Sequence, residues 1–214
     1  MTPFLASLLP FDVVTSFRVL AAFSNWLSLA LLYGILRRTG LSYGGSLVGM
    51  LLYAGVFWAL KFSFYSPCYV DFQTQTLALT VLYLMLAGPE WAIPPLLVIA
   101  VLQKEALLFL APVVYVHYAR RHGWLSRRSL LYLAALVLPS LLALVAVRTL
   151  ISAGQPYGTA SEFLANLERV GKRGFWPRFV VALFGGLGLL PALLLYRARA
   201  AGRFLRHNLH WAAL

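Results

Sequence analysis

The stretch that most constrains this chain runs from residue 91 to residue 121, WAIPPLLVIAVLQKEALLFLAPVVYVHYARR. It consists of two apolar arms with one charged pair, Lys104 and Glu105, at their junction. Each arm has roughly 14 to 17 residues, about 21–25 Å of α-helix, which is short of the ~30 Å hydrocarbon core of a bilayer. A charged turn at that depth is tolerated only inside protein or beside a watery cavity. The pair is therefore the first place to look for function.

Composition places the whole chain in a membrane. Of its 214 residues, 61% are hydrophobic and only 11% are charged, and the mean hydropathy is +0.80. A soluble domain carries about 25% charged residues. We therefore predict an integral, multi-pass protein of the cell inner or plasma membrane. The net charge of +12 lies mostly in short clusters between apolar runs, which favours topology signals and anionic lipid and excludes nucleic acid as a partner.

The apolar segments predict an all-α fold, a polytopic transmembrane helix bundle. About seven apolar segments, including the short-helix hairpin, form a single, partial transmembrane domain over residues 1–214. They cover residues 11–36, 41–62, 72–87, the two arms of the short-helix hairpin at 91–121, 129–151 and 176–196. Outer loops are expected at 63–71 and 152–175, the second with a short amphipathic helix at 161–170.

The distribution of basic residues predicts the orientation. Of the 18 lysine and arginine residues, the majority are arginines in compact clusters around 37–40, 119–128 and 197–210. Short basic loops mark the cytoplasmic side of a membrane protein. Asp71, the turn at Lys104 and Glu105, and the loop at 152–175 are then on the outer side.

The two termini predict a fragment. The chain begins with MTPFLASLLP, which lacks the basic n-region of a signal peptide, and ends with HWAAL, which is similar to the start of another apolar run. We therefore expect a piece of a longer protein with at least one more helix at each end.

Asp71 is the candidate catalytic residue. It follows an aromatic loop that contains Tyr69, and it precedes a segment that begins with polar residues such as Gln73. Polar residues at the start of a membrane helix usually face the bundle interior, so Asp71 could act as a base, a metal ligand or a partner of Lys104. It could equally cap the helix by accepting hydrogen bonds from free amide groups. Tyr69 and Gln73 are included as supporting residues.

Lys104 is the first candidate for binding a lipid-linked phosphate, as a compact positive charge. The alternative is a structural cation at a helix C-terminus, paired with Glu105 or Asp71. Because the turn is deep, a charged side chain there without a partner or ligand would cost more free energy than at the surface. Glu105 is interpreted as the structural partner of Lys104 or as a cap of the second arm.

A basic cluster in the outer loop supplies further candidates for phosphate binding. Its members are Arg169, Lys172, Arg173 and Arg178. Basic residues on the outer side oppose the topology rule, so a phosphate-bearing lipid head group is one possible ligand. A solvated face or ordinary phospholipid contact is the alternative. The single cysteine excludes an internal disulfide, and no spacing of cysteine and histidine predicts a metal site.

Three segments carry a resemblance to a known family. They are the tripeptide Tyr69, Val70 and Asp71, the sequence VLQKEA at 101–106, and FRVLAAFSNWLSLALLYGILRRTG at 17–40. Together they resemble the GT-C superfamily of polytopic membrane glycosyltransferases, which use polyprenyl- or dolichyl-phosphate sugars. The resemblance covers residues 11–121 by pattern and the rest only by layout.

The resemblance implies transfer of a sugar from a lipid phosphate to an acceptor, unknown here, on the non-cytoplasmic side. In that family an acidic residue in the first outer loop serves as base or ligand of a divalent metal. The helix and loop that would hold it have no match here, and Asp12 lies too close to a span to replace it. Lys104 matches a lysine near the lipid-phosphate pocket, and Asp71 matches a recurrent outer acidic position.

Two function hypotheses follow. The first is a fragment of a cell-envelope glycosyltransferase, and the second is a non-enzymatic membrane protein, either a lipid or solute transporter or an assembly subunit. Transporters often carry paired broken helices in two repeated halves, whereas only one broken hairpin is visible here, at 91–121. For the enzyme we expect Asp71, Lys104 and the loop at 169–178 to converge on one outward cavity.

Overall fold

The computed structural model describes residues 2–55, 71–151 and 176–177, and every element longer than one turn in these ranges is helical. The helices are α1 (Thr2–Ser7), α2 (Val13–Arg38), α3 (Tyr43–Gly55), α4 (Asp71–Ala87), α5 (Ile93–Gln103), α6 (Leu110–His122) and α7 (Arg127–Ile151). Short 3₁₀ helices, Glu90–Ala92 and Glu105–Phe109, precede α5 and α6. The predicted all-α class is therefore confirmed for this part of the chain.

Two of these helices, Val13–Arg38 and Arg127–Val147, are long and apolar enough to cross a membrane by length and composition. Phe72–Ala87 and Glu90–Gln103 are apolar but shorter. The predicted last span at 176–196, the outer loop at 152–175 and its amphipathic helix lie outside the described residues, apart from Trp176 and Pro177.

The two arms of the hairpin are shorter as α-helices than the sequence predicted. The helix α5 has 11 residues and α6 has 13, because each arm begins with 3₁₀ backbone. Proline has no N–H to donate, so it fits the first turn of an α-helix, where that group has no partner within the helix. Pro94 and Pro112 lie in the first turns of α5 and α6 and fix where the α-helical hydrogen bonds begin.

A buried polar seam joins α2 to α4. The Thr76 hydroxyl lies 2.9 Å from Phe72 O, 3.0 Å from Ser24 O and 2.8 Å from Ser28 Oγ. Each of these hydroxyl groups has one proton, so either Ser28 or Thr76 is the donor of the hydrogen bond between them. Along α2 the small polar residues Ser16, Ser24 and Ser28 are all buried at helical spacing, which lets the two helices approach closely.

The contacts between α2 and α4 join residues whose numbers increase along both helices, so the two helices run parallel. Near their other ends, the Arg38 guanidinium lies over the Tyr83 ring at 5.2 Å, and Arg38 Nη1 donates to Leu86 O at 3.4 Å. A Cβ added at Gly34 would lie 2.8 Å from Tyr83 Cε2, so glycine is what permits this approach. The antiparallel α3 packs beside α2, where a Cβ at Gly49 would meet Leu36 Cδ1 at 2.6 Å.

An apolar core holds α4, α5, α6 and α7 together. Its most deeply buried members include Val81, Met85, Ile93, Leu97 and Leu136. The α5 face thus packs between α4 and α7, and the 3₁₀ helix Glu105–Phe109 contributes Leu107 to the same cluster.

The loops that follow α2, α4 and α6 lie at one end of the bundle. Arg121 Nη1 donates to Glu90 Oε1 at 3.0 Å, and His122 Nε2 lies 3.7 Å from Glu90 Oε2. The Tyr132 hydroxyl donates to Glu90 O at 2.9 Å, which ties α7 to the same place. This end of the bundle carries the loops that the basic residues assigned to the cytoplasmic side.

Candidate functional site at the turn between α5 and α6

The helix α5 stops at Gln103, and Lys104 has an extended backbone with φ −153° and ψ 118°. The Lys104 N–H donates to Ala100 O at 2.9 Å, which is the last helical bond of α5. Its carbonyl accepts from Leu107 N at 3.0 Å and opens the following 3₁₀ helix. Lys104 is half-buried and Glu105 is exposed. The break that the sequence predicted at this pair is present.

The distance along α5 from the Glu90 end of the bundle to the turn is shorter than the thickness of a membrane core. At ~2.0 Å per residue in a 3₁₀ helix and ~1.5 Å in an α-helix, the ascending arm from Glu90 to Gln103 is about 22 Å long. The returning arm from Glu105 to His122 is about 30 Å long by the same rule. Both arms share the Glu90–Arg121 pair at one end and Lys104 at the other.

A pair of glutamine side chains connects this turn to the start of α4. Gln103 Nε2 donates to Gln73 Oε1 at 2.9 Å, although the two residues are 30 positions apart. Gln73 is only 8% exposed, so the bond lies in a sheltered place where a lost partner is costly. Gln103 immediately precedes Lys104, and Gln73 is two residues after Asp71. The bond therefore holds these two chain segments at the same end of the bundle.

The helix α3 reaches the same end of the bundle. The Tyr53 hydroxyl, near the described end of α3, donates to Gln75 Oε1 at 3.0 Å in the first turns of α4. The start of α4 is thus joined to α5 through Gln73 and to α3 through Gln75, on different faces of the helix. Such amide and hydroxyl groups can donate hydrogen bonds to a polar ligand and accept them from it.

The structure brings together only part of the predicted site. Asp71 is the first residue of α4, but its side chain lies outside the described part of the chain. The supporting residue Tyr69 and the basic residues Arg169, Lys172, Arg173 and Arg178 lie outside it as well. What is shown is that the backbone at Asp71, the buried Gln73 amide and Lys104 share one end of the bundle.

Asp12 performs a structural task at the start of α2. Its Oδ1 accepts from Val14 N at 3.0 Å and from Thr15 N at 3.1 Å, as an N-cap residue does. Hydrogen bonds from the Thr15 side chain and from the Thr15 and Val14 amides hold the pKa of the exposed Asp12 carboxyl below its usual value. This carboxylate therefore caps α2.

Among the described residues, no group of three or more histidine, cysteine, aspartate or glutamate side chains could hold a metal ion. Comparison of the chain with protein-family models, with curated proteins and with solved structures found no match.

Sequence reasoning did not single out Gln103 as part of the site. One signal was available, because Gln103 is the only amide in an otherwise apolar arm and adjoins the charged pair. A polar side chain at that position in a membrane helix has to find a partner inside the protein. The identity of the partner, Gln73, depends on how α4 and α5 pack and has no local signature.

Proposed function

We propose that this chain is part of a multi-pass membrane glycosyltransferase that transfers a sugar from a lipid-phosphate carrier to an acceptor on the non-cytoplasmic side. The resemblance of residues 11–121 to the GT-C superfamily supports it. The observation that carries the proposal is the hydrogen bond between Gln103 and Gln73. It links the segment 101–106, which contains Lys104, to Gln73, which lies two residues after the segment that ends in Asp71; these are two of the three segments that carry the resemblance.

The distribution of polar and apolar side chains supports a membrane setting. In α2 the serine and asparagine side chains are buried against α4, whereas Phe23 and Trp26 are more than half exposed. Leu138 and Leu142 of α7 are also largely exposed. A soluble helix shows the reverse arrangement, with its apolar side buried and its polar side in water. Exposed apolar faces around a polar seam fit a helix bundle surrounded by lipid.

The position of Lys104 suits the chemistry of the transfer. When the acceptor hydroxyl attacks the anomeric carbon, the bond between that carbon and the phosphate oxygen breaks, and negative charge accumulates on the departing lipid phosphate. A cation beside that phosphate stabilises the charge, most strongly in a sheltered place. The half-buried Lys104, at a turn about 22 Å from the Glu90 end, would lie below the outer surface of a ~30 Å core, where a phosphate just under the head groups can reach it.

Asp71 is the candidate for accepting the proton of the acceptor hydroxyl. A carboxylate within hydrogen-bond reach of the attacking oxygen is the usual means of general base catalysis. The basic loop residues Arg169, Lys172, Arg173 and Arg178 are candidates for holding the same phosphate from the other side. The proposed site thus combines one acid with several cations, as transfer from a phosphate leaving group requires.

Sugar transfer by the full protein tests the proposal. The purified protein in detergent is supplied with synthetic polyprenyl-phosphate hexoses and pentoses, and release of free polyprenyl phosphate is measured. Lys104→Ala should lower kcat/KM at least ~100-fold, since one such electrostatic contact contributes about 2.7–4 kcal/mol. The control Arg18→Ala changes an exposed cation on α2 and should leave the rate unchanged.

Two outcomes would contradict the proposal. One is unchanged donor use in the Lys104→Ala variant. The other is saturable binding of the lipid phosphates without any turnover, which would favour the transporter or assembly-subunit hypothesis.

A further inference from the structure

The turn between α6 and α7 concentrates positive charge at the end of the bundle opposite the candidate site. Arg120 and Arg121 end α6, and Arg127 and Arg128 begin α7. The described acid at this end of the bundle is Glu90, whose carboxylate already contacts Arg121 and His122. The surface formed by these four arginines, here called the arginine turn, therefore has a strong excess of positive charge.

Two of the five residues between the arginine pairs, Trp124 and Leu125, are large, apolar and exposed. Trp124 is 53% exposed and Leu125 is 83% exposed. Charged residues beside exposed tryptophan and leucine are typical of the boundary between lipid head groups and acyl chains, where the aromatic ring and the aliphatic chain enter the apolar layer.

The arginine turn has a fixed shape. Gly123 has φ +90°, a value that side-chain-bearing residues rarely adopt, and its N–H donates to Ala119 O at 2.8 Å. The Tyr115 hydroxyl donates to Trp124 O, and the Tyr115 and Trp124 rings meet edge to face at 6.4 Å. Trp124 is therefore held in an exposed position by the backbone and by Tyr115.

In the second arginine pair, Arg128 is held by a hydrogen bond to α6. Arg128 Nε donates to the Tyr118 hydroxyl at 2.9 Å, while Tyr118 stacks on Tyr132 with ring centroids 3.9 Å apart. Ser126 Oγ accepts from Ser129 N at 3.1 Å and begins α7. Arg127 is exposed, and no carboxylate in the described part of the chain pairs with it. A guanidinium group can bind phosphate oxygens with two parallel hydrogen bonds, and that of Arg127 lies exposed at this turn.

We propose that the arginine turn is a binding site for the head group of an anionic phospholipid, with the phosphodiester on the arginines and the acyl chains beside Trp124 and Leu125. The proposal uses the membrane setting proposed above but not the sugar transfer. Charge complementarity selects an anionic lipid, and the exposed apolar residues between the arginines select a lipid over a free phosphate ion.

Thermal unfolding of the full protein in detergent micelles tests this proposal without an activity assay. The unfolding temperature is followed while phosphatidylglycerol or phosphatidylcholine is titrated into the micelles. Phosphatidylglycerol should raise it saturably, and phosphatidylcholine should have little effect. Each arginine near an anionic surface corresponds to about a fivefold change in affinity, so Arg120→Gln with Arg127→Gln should weaken the apparent affinity roughly 25-fold.

Two controls keep the outcome specific. The single variant Arg127→Gln changes an exposed residue without a described ion pair, so it should fold normally and lose about fivefold in affinity. Arg18→Gln changes an arginine near the start of α2 and should retain the full affinity.

Three results would overturn the proposal. They are equal stabilisation by the two lipids, the same loss in Arg18→Gln as in Arg127→Gln, and full reproduction of the effect by inorganic phosphate. Loss of sugar transfer in these variants is not a criterion, so a failure of the proposed enzyme activity leaves this test intact.

Discussion

Gln103 donates a 2.9 Å hydrogen bond to Gln73 and thereby fixes the last residue of α5 to the first turn of α4. The two chain segments of the candidate site therefore depend on one contact between amide side chains. If the bond sets the position of Lys104, substitution of Gln103 or Gln73 should change how Lys104 is placed, although neither substitution alters the lysine itself.

The first prediction concerns this amide pair. Gln103→Ala and Gln73→Ala should each lower the free energy of unfolding by about 1–3 kcal/mol, because a buried amide loses its partner. The double variant should cost less than the sum of the two, with a coupling energy of about 0.5–1.5 kcal/mol. Chemical unfolding in micelles measures all three values. Strictly additive losses would show that the bond contributes nothing to the folded state.

The second prediction concerns the contact between α2 and α4 at Gly34. An alanine there would place its Cβ 2.8 Å from Tyr83 Cε2, and the ring could move only by leaving Arg38, whose guanidinium lies over it. Gly44→Ala is the matched control, because a Cβ at Gly44 meets nothing within 4 Å. Alanine gains at least as much helix propensity inside α2 at residue 34 as in the first turn of α3 at residue 44, so a lower stability reports the clash; we expect Gly34→Ala to be less stable than Gly44→Ala by about 1–3 kcal/mol. Equal unfolding free energies would contradict the close approach of Tyr83.

The third prediction concerns pH and the N-cap of α2. The pKa of the Asp12 carboxyl is lowered in the folded protein, chiefly by the Thr15 side chain and the Thr15 amide. A lowered pKa means that the capping contribution is complete above the ordinary aspartate pKa and is lost as the pH falls through the folded value. Amide hydrogen exchange at Val14 and Thr15 should therefore accelerate in strongly acidic solution, beyond the intrinsic pH dependence of exchange.

Asp12→Asn is the control for this pH effect. Asparagine can cap the helix through its side-chain oxygen but does not titrate. The corrected exchange of the two amides should then be independent of pH over the same interval. An unchanged acid response in this variant would assign the effect to another group.

The fourth prediction concerns Tyr132. Its hydroxyl donates to Glu90 O at 2.9 Å, and its ring stacks on Tyr118 with an interplanar angle of 12°. Tyr132→Phe removes only the hydrogen bond and should cost about 1 kcal/mol. Tyr132→Leu also removes the aromatic pair and should cost about 0.5–1.5 kcal/mol more. Unfolding of both variants in micelles distinguishes the two contributions, and identical losses would assign no role to the stacking.

Helix ends in this chain could be predicted from sequence because they depend on local chemistry. The charged pair at Lys104 breaks an apolar run, and α4 ends at Ala87, before Gly88, which adopts φ +105°. The 3₁₀ starts of the two arms were not predicted, because apolar residues near Pro94 and Pro112 look the same in 3₁₀ and α-helical backbone. Hydropathy does not distinguish these two helix types, whereas proline fixes the start of the α-helical hydrogen bonds.

The contacts between helices could be predicted only in part. Serines at 16, 24 and 28 recur on one face of α2, so the sequence indicates that this face is packed. That this face meets Thr76 of α4 depends on tertiary packing. Glu90 illustrates the same limit, because its contact with Arg121 across 31 positions has no local signature in the sequence.

The shared hydroxyl of Thr76 has a mechanical consequence. Sliding α4 along α2 by one turn would separate Thr76 from both Ser24 and Ser28. These hydrogen bonds therefore fix the register of the two helices. A conformational change that separates α2 from α4 would have to break these buried hydrogen bonds first.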